Sequence, residues 1–149
     1  MATTAQRVFD IAMGFMDEVN ESGQTVTSDS TEYLNRTLFI LNALRGELYP
    51  YSDTWEIEEA GERPIAPVIE DLDSVIGLDD YICQTVMPYG LAAHLLLDEN
   101  PSAASFFNQR YEELKASLRS GLPTTSEDIE DVYGPNGGIW PYNEFGMWR

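Results

Sequence analysis

The sequence predicts an all-α fold: a small four-helix bundle-like domain with a long irregular connection between helices 2 and 3, and an extended C-terminal arm. Four stretches carry apolar residues at the 3.6-residue spacing of an amphipathic helix, and clusters of Gly, Pro, Asn and Asp separate them. With 149 residues, 43% of them hydrophobic, the chain is long enough to fold as one domain. Its single cysteine, Cys83, excludes an internal disulfide framework.

The first helix is predicted at about residues 4–20, within a helical domain that spans residues 1–121. Its apolar residues fall at i, i+3, i+4, i+7, i+8 and i+11, which places them on one stripe. Thr3 or Thr4 is expected to cap its start, and Gly23 suits the left-handed conformation that follows a helix C-terminus.

The second helix is predicted at about residues 29–48. Asp29 and Glu32 have the spacing of a capping box, in which two side chains bond the first free amides. Pro50 ends the helix because proline cannot donate to the hydrogen-bond ladder.

Residues 51–77 change character, since prolines frame them and acidic residues alternate with branched apolar ones. The pattern predicts an irregular connection that carries a short strand pair, at Ile65–Ile69 and Ser74–Ile76. A connection of this length in a compact domain is typically functional or docked on a partner.

The third and fourth helices are predicted at about residues 79–98 and 101–120. The third is apolar on nearly every side, which predicts the central position, and Pro88 predicts a kink inside it. Asn100 and Pro101 suit the N-cap and N1 positions of the fourth helix.

The C-terminal arm, residues 122–149, has no helical or alternating period and is rich in Gly and Pro. It nevertheless carries large apolar side chains, which disordered segments usually lack. We therefore expect it to dock, either on its own domain or on a neighbouring molecule, through aromatic and aliphatic anchors. The expected partner-binding anchors are Tyr133, Ile139, Trp140, Tyr142, Phe145 and Trp148.

The charge balance is strongly acidic: 26 Asp and Glu against eight Lys and Arg give a net charge of −18. A protein that binds duplex DNA tightly neutralises phosphates with cations, so sequence-specific nucleic-acid binding is not expected. An acidic surface favours solubility, mimics DNA, or lets DNA pass without sticking. No apolar run approaches the roughly 18 residues of a membrane span, and no membrane association is expected.

Residues that carry chemistry are sparse, and we expect no enzyme, cofactor or metal site. His94 follows apolar neighbours on the third helix and lacks an adjacent nucleophile. Cys83 lies in the same apolar stretch, which predicts a buried inert thiol. Asp71 and Asp73 match an EF-hand loop poorly, because the glycine at Gly77 comes one position late and the terminal glutamate is missing.

Three segments resemble the head-to-tail connector (adaptor) proteins of long-tailed bacteriophages and prophages. They are RVFDIAMGFMDEV, YLNRTLFILNALRGELYPYSD and VMPYGLAAHLLLDENPSAASFFNQRYEELKASL. In the third, Leu91-Ala92-Ala93 precede the Asn100-Pro101 cap and a cluster of Phe107, Arg110 and Tyr111. The IEDVYG stretch of the arm adds to the resemblance, which covers most of the chain but contains packing motifs rather than catalytic ones.

The resemblance implies a virion structural protein at the neck, made in the host cytoplasm and assembled between portal and tail. Its expected partners are the portal protein, a tail-side neck or tail-terminator protein, and further copies of itself in a ring of about twelve. It also implies that genomic DNA passes through the ring without specific binding, helped by the acidic charge. One alternative is a small acidic phage-encoded inhibitor or DNA mimic that occupies a basic site on another protein. The other is an acidic helical enzyme with an unrecognised carboxylate site.

Overall fold

The computed structural model describes residues 2–52, 54 and 65–121, and the fold of this part is all-α. Its helices are α1 (Ala5–Met16), α2 (Thr31–Leu48), α3 (Met87–Leu95) and α4 (Pro101–Gly121). A short 3-10 turn, Tyr49–Tyr51, follows α2, and a π-helical segment, Ile82–Val86, leads into α3. The prediction of an all-α fold with four helices is therefore confirmed.

Helix α1 is shorter than predicted, because it ends at Met16 rather than at residue 20. Asp17 adopts the left-handed conformation with φ 62°, and its amide donates to the carbonyls of Gly14 and Met13. Asn20 lies in the following loop, where its side-chain oxygen accepts hydrogen bonds from the amides of Ser22 and Gln24. This local turn competes with helix formation. At the other end the predicted cap is present, since Thr4 accepts a hydrogen bond from an amide of the first turn.

The predicted capping box of the second helix is wrong. Ser30, not Asp29, is the N-cap residue of α2, and its side chain makes no capping bond to the helix. The Ser30 hydroxyl instead donates to the carbonyl of Thr25, at 2.8 Å. The helix start is thus set by a hydrogen bond back into the preceding loop, which the spacing of Asp29 and Glu32 does not reveal.

The predicted strand pair is also absent from residues 65–77, the described part of the long connection. Val75 forms an isolated antiparallel bridge with Thr4 instead. The Ile76 amide donates to the Thr3 carbonyl at 2.9 Å, and the Ala5 amide donates to the Ser74 carbonyl at 3.0 Å. The connection therefore pairs with the chain before α1, because that partner offers unsatisfied backbone groups at the helix N-terminus.

The third helix does change geometry at Pro88, and the change is a π-helical turn just before it. Proline has no amide hydrogen, and its ring crowds the carbonyl four residues earlier. The helix widens in response, so that the Met87 amide donates to the carbonyl of Ile82, five residues back. The regular α-helix resumes with α3 and ends at Leu95, three residues before the predicted end.

Helix α3 is central, as its composition predicted: it packs against α1, α2 and α4. Gly90 makes this packing close, because a Cβ at that position would lie 2.9 Å from Leu44 Cδ2 of α2 and 3.1 Å from the Tyr111 ring of α4. The core contains fully buried side chains from α1, α2 and α3. They include Phe9, Met13, Leu41, Leu44, Met87, Leu91 and Leu95.

Helix α4 begins as predicted, with the Asn100 side chain accepting a hydrogen bond from the Ala103 amide at 3.1 Å. A polar contact joins it to α2: the Tyr111 hydroxyl donates to Glu47 Oε2 at 2.9 Å, and the Lys115 ammonium bonds the other carboxylate oxygen. Tyr33, near the start of α2, also bonds Glu99 just before α4, so the two helices run in the same direction. Both are antiparallel to α3, because Arg36 bonds the His94 carbonyl near the end of α3, whereas Leu44 lies against Gly90 nearer its start.

Candidate functional site

A groove of about 580 Å³ lies between α2 and residues 66–70 of the long connection. We call it the α2 groove. Phe39, an exposed residue of α2, is the largest apolar side chain of its α2 wall. Asn35, Asn42 and Arg45 line the same wall, opposite Pro67 and Val68.

Two polar side chains one helical turn apart hold the second wall in place. Asn42 Oδ1 accepts a hydrogen bond from the Ile69 amide at 2.9 Å, and Asn42 Nδ2 donates to the Ile69 carbonyl at 3.0 Å. Arg45 Nη1 donates to the carbonyl of Pro67. Residues three apart on a helix share a face, so one face of α2 binds two alternate residues of the connection.

Arg45 is the one buried cation in the part of the chain that the structure describes, with 4% of its surface exposed. Its Nε atom is buried and has no hydrogen-bond partner. No described carboxylate forms an ion pair with it. Burial lowers the pKa of the guanidinium from its ordinary value. The ordinary pKa of arginine is so high that the group stays charged near neutral pH. The α2 groove thus has a positive charge beneath an apolar surface.

The apolar surface of the groove faces solvent in the isolated chain. Phe39 is 82% exposed, Val68 is 71% exposed and Ile65, next to the groove, is 95% exposed. Scattered exposed apolar residues are ordinary, whereas neighbouring ones on a single groove make the groove a candidate interaction surface. The sequence held one signal for it: Phe39 is a large apolar residue outside the predicted apolar stripe of its helix, which runs through Leu34, Leu38, Leu41, Leu44 and Leu48.

A second apolar surface lies across α1, α3 and α4 and contains no residue of α2. Phe15 stacks on Tyr89 with ring centroids 4.5 Å apart, and Tyr89 lies 6.3 Å from Phe107. Phe107 in turn meets Phe106 edge-on at 5.5 Å. Phe106 is 63% exposed and Phe15 38% exposed. We call this surface the aromatic row. The Phe107 and Tyr111 pair singled out in the sequence is buried, and Arg110 beside it pairs with Glu113 at 3.2 Å.

The two candidate reactive residues of the third helix have no catalytic setting among the described residues. Cys83 is fully buried, and burial raises the pKa of its thiol to about 12, which suppresses the reactive thiolate. His94 is exposed on α3, and its backbone carbonyl accepts a hydrogen bond from the Arg36 guanidinium at 3.1 Å.

The Asp71 loop is a local turn. The Asp71 carboxylate accepts hydrogen bonds from the Ser74 amide and hydroxyl, both at 2.7 Å. Those two bonds lower the pKa of the Asp71 carboxyl. Among the residues that the structure describes, no group of three or more His, Cys, Asp or Glu side chains is arranged to hold a metal ion.

The predicted arm anchors lie outside the described residues: Tyr133, Ile139, Trp140, Tyr142, Phe145 and Trp148. In the described part, no helix is both long and apolar enough to cross a membrane. Comparison with family models, with curated proteins and with solved structures finds no significant match to this chain.

Proposed function

We propose that the protein is a structural connector that assembles side to side into a ring between a phage portal and tail. The observation that carries this proposal is the presence of two unlike exposed apolar surfaces, the α2 groove and the aromatic row, on one small helical domain. A two-fold dimer uses the same surface on both subunits, whereas a ring joins two different surfaces of successive copies.

The polar chemistry of the chain agrees with a mechanical role. The described residues present a buried thiol, no metal-binding cluster, and carboxylates such as Asp71 and Glu47 that bond hydroxyl, amide and ammonium groups of the same chain. The net charge of −18 would repel DNA phosphates at short range, so a channel lined by this protein would let a genome slide without binding. We accordingly propose no catalytic activity.

The proposed partners follow from the same role. Further copies of the chain would close the ring through two unlike surfaces, one of which is the aromatic row. The portal protein and a tail-side neck or tail-terminator protein would bind above and below it. The C-terminal arm would contribute the anchors Tyr133, Ile139, Trp140, Tyr142, Phe145 and Trp148.

Light scattering after size exclusion tests the proposal on the full chain, alone and mixed with the portal protein of the same genome. We expect a multi-subunit ring with the portal present. Phe106→Glu places a charge on the aromatic row and should prevent assembly. Asn108→Glu adds the same charge on another side of α4 and should leave assembly intact.

Two outcomes would contradict the proposal. The first is a chain that stays monomeric in every mixture with portal. The second is Phe106→Glu assembling as the wild type does. A monomeric chain that displaces DNA from a basic DNA-binding protein would favour the acidic inhibitor instead.

A further inference from the structure

The α2 groove has three kinds of group that make no contact or hydrogen bond of the expected kind with the described residues. Its apolar side chains are open to solvent, with Phe39 82% exposed and Val68 71% exposed. The buried Arg45 guanidinium beneath it has a free Nε donor. The backbone groups of Val68 make no hydrogen bond to any other described residue.

These features together suit an extended peptide that carries both apolar and acidic residues. Apolar side chains would cover Phe39, and the free backbone groups of Val68 would pair with the peptide main chain, as in strand addition. A peptide carboxylate would lie near the only buried cation of the described residues, where the low local dielectric strengthens attraction. A purely apolar peptide would leave the Arg45 guanidinium without a negatively charged partner.

We propose that the α2 groove binds the C-terminal arm of a second copy of this chain, an assignment that rests on the proposed ring. The arm carries both kinds of residue: the acidic pairs Glu127-Asp128 and Glu130-Asp131 flank Ile129, and Val132, Tyr133 and the aromatic anchors follow. Phe39 is 82% exposed, so the described residues leave this surface open to an arm.

The reach of the arm permits this contact. The arm follows Gly121, the last residue of α4. Helix α4 runs parallel to α2, and Lys115 of α4 bonds Glu47 of α2. The arm therefore leaves the domain from the end at which the C-terminal half of α2, with Asn42 and Arg45, is found. The 28 residues from 122 to 149 span at most about 90–100 Å when extended, enough to reach an adjacent subunit.

Disulfide trapping between two differently tagged full-length chains tests the assignment. One chain carries Asn35→Cys at the groove. The other carries a cysteine beside an arm anchor, as Gly138→Cys, Asn143→Cys or Gly146→Cys in separate preparations. The matched control replaces the groove cysteine by Asn108→Cys, an exposed position on α4. Cys83 is buried and will not compete.

We expect at least one arm position to give about tenfold more mixed dimer with Asn35→Cys than with Asn108→Cys, because docking raises the local thiol concentration. Equal yields at all three arm positions would overturn the assignment. So would a chain that carries both Asn35→Cys and the arm cysteine and forms the disulfide only within itself.

A second variant separates this inference from the proposed function. Phe39→Glu changes an exposed side chain, so the fold should survive, and it should abolish the mixed dimer. If the mixed dimer forms unchanged with Phe39→Glu, the groove assignment fails. If wild-type chains then still form rings with the portal, the proposed function stands without it. If trapping succeeds but no ring forms with the portal, the groove contact stands and the connector function fails.

Discussion

The side chain of Asn42 satisfies both backbone hydrogen-bonding groups of Ile69, accepting from the amide at 2.9 Å and donating to the carbonyl at 3.0 Å. A helix surface thus holds a segment that has neither helix nor strand structure. Ile69 is itself buried, with 3% of its surface exposed, so the two hydrogen bonds also fix the position of an apolar side chain against α2. The α2 groove owes its second wall to this pair and to Arg45.

Asn42→Ala should therefore destabilise the protein. It leaves the partly buried amide and carbonyl of Ile69 without partners, for a loss of about 1–3 kcal/mol in the free energy of unfolding. Urea unfolding followed by circular dichroism measures the loss. Asn35→Ala removes an exposed amide from the same helix and should change stability by less than about 0.5 kcal/mol. Equal losses for the two variants would mean that the bonds to Ile69 carry no net stability.

Gly90→Ala tests the close packing of the three helices around α3. Alanine favours a helix over glycine by up to about 1 kcal/mol, but its Cβ would lie 2.9 Å from Leu44 and 3.1 Å from the Tyr111 ring. The Tyr111 ring is held by Glu47, so we expect a net destabilisation of about 1–3 kcal/mol.

Gly14→Ala is the matched control for Gly90→Ala. It lies in α1, and a Cβ there meets no atom within 4 Å. It should raise stability by up to about 1 kcal/mol, the difference in helix propensity alone. If both alanines stabilise the protein, the contact between α3 and its neighbours is looser than the distances indicate.

Glu47 should make stability depend on pH. Its hydrogen bonds with Lys115 and Tyr111 lower the pKa of the carboxyl in the folded chain. A lowered pKa means that the group stabilises the fold above its unfolded pKa of about 4.3, and that this contribution is lost as pH falls through the folded value. Glu47→Gln should therefore lose less stability than the wild type between about pH 5 and 3.

The control for the acid dependence is Glu21→Gln, an exposed carboxylate in the loop between α1 and α2. It should keep the wild-type slope of unfolding free energy against pH. An unchanged slope in Glu47→Gln would show that the bond between α2 and α4 does not contribute to the acid sensitivity.

Cys83 should resist modification in the native protein. It is fully buried and its thiol pKa is raised to about 12, so thiolate is scarce at pH 8. With a thiol-reactive chromogenic reagent, Cys83 of the native protein should react no faster than the protein unfolds. In urea, one thiol per chain should react. Rapid native labelling would mean that the π-helical turn around Cys83 opens readily.

Much of the helical framework was predictable from local pattern. The apolar stripes, the Asn100 cap and the Pro88 disruption appear in the structure because each depends on neighbours within one or two helical turns. The central position of the third helix was also predictable, since a helix that is apolar on nearly every side has to be surrounded. Its π-helical form was not, because periodicity does not distinguish a kink from a widened turn.

The sequence by itself determined the all-α class, the number of helices and the acidity of the surface, because composition and periodicity are local properties. Only the tertiary structure decided where residues 65–77 pair and what Asn42 and Arg45 do. Their partners, Ile69 and Pro67, are more than twenty residues away. From the sequence, a polar side chain on a helix is expected to face solvent. Only the folded structure shows which of these side chains bond backbone amides and carbonyls that have no other partner.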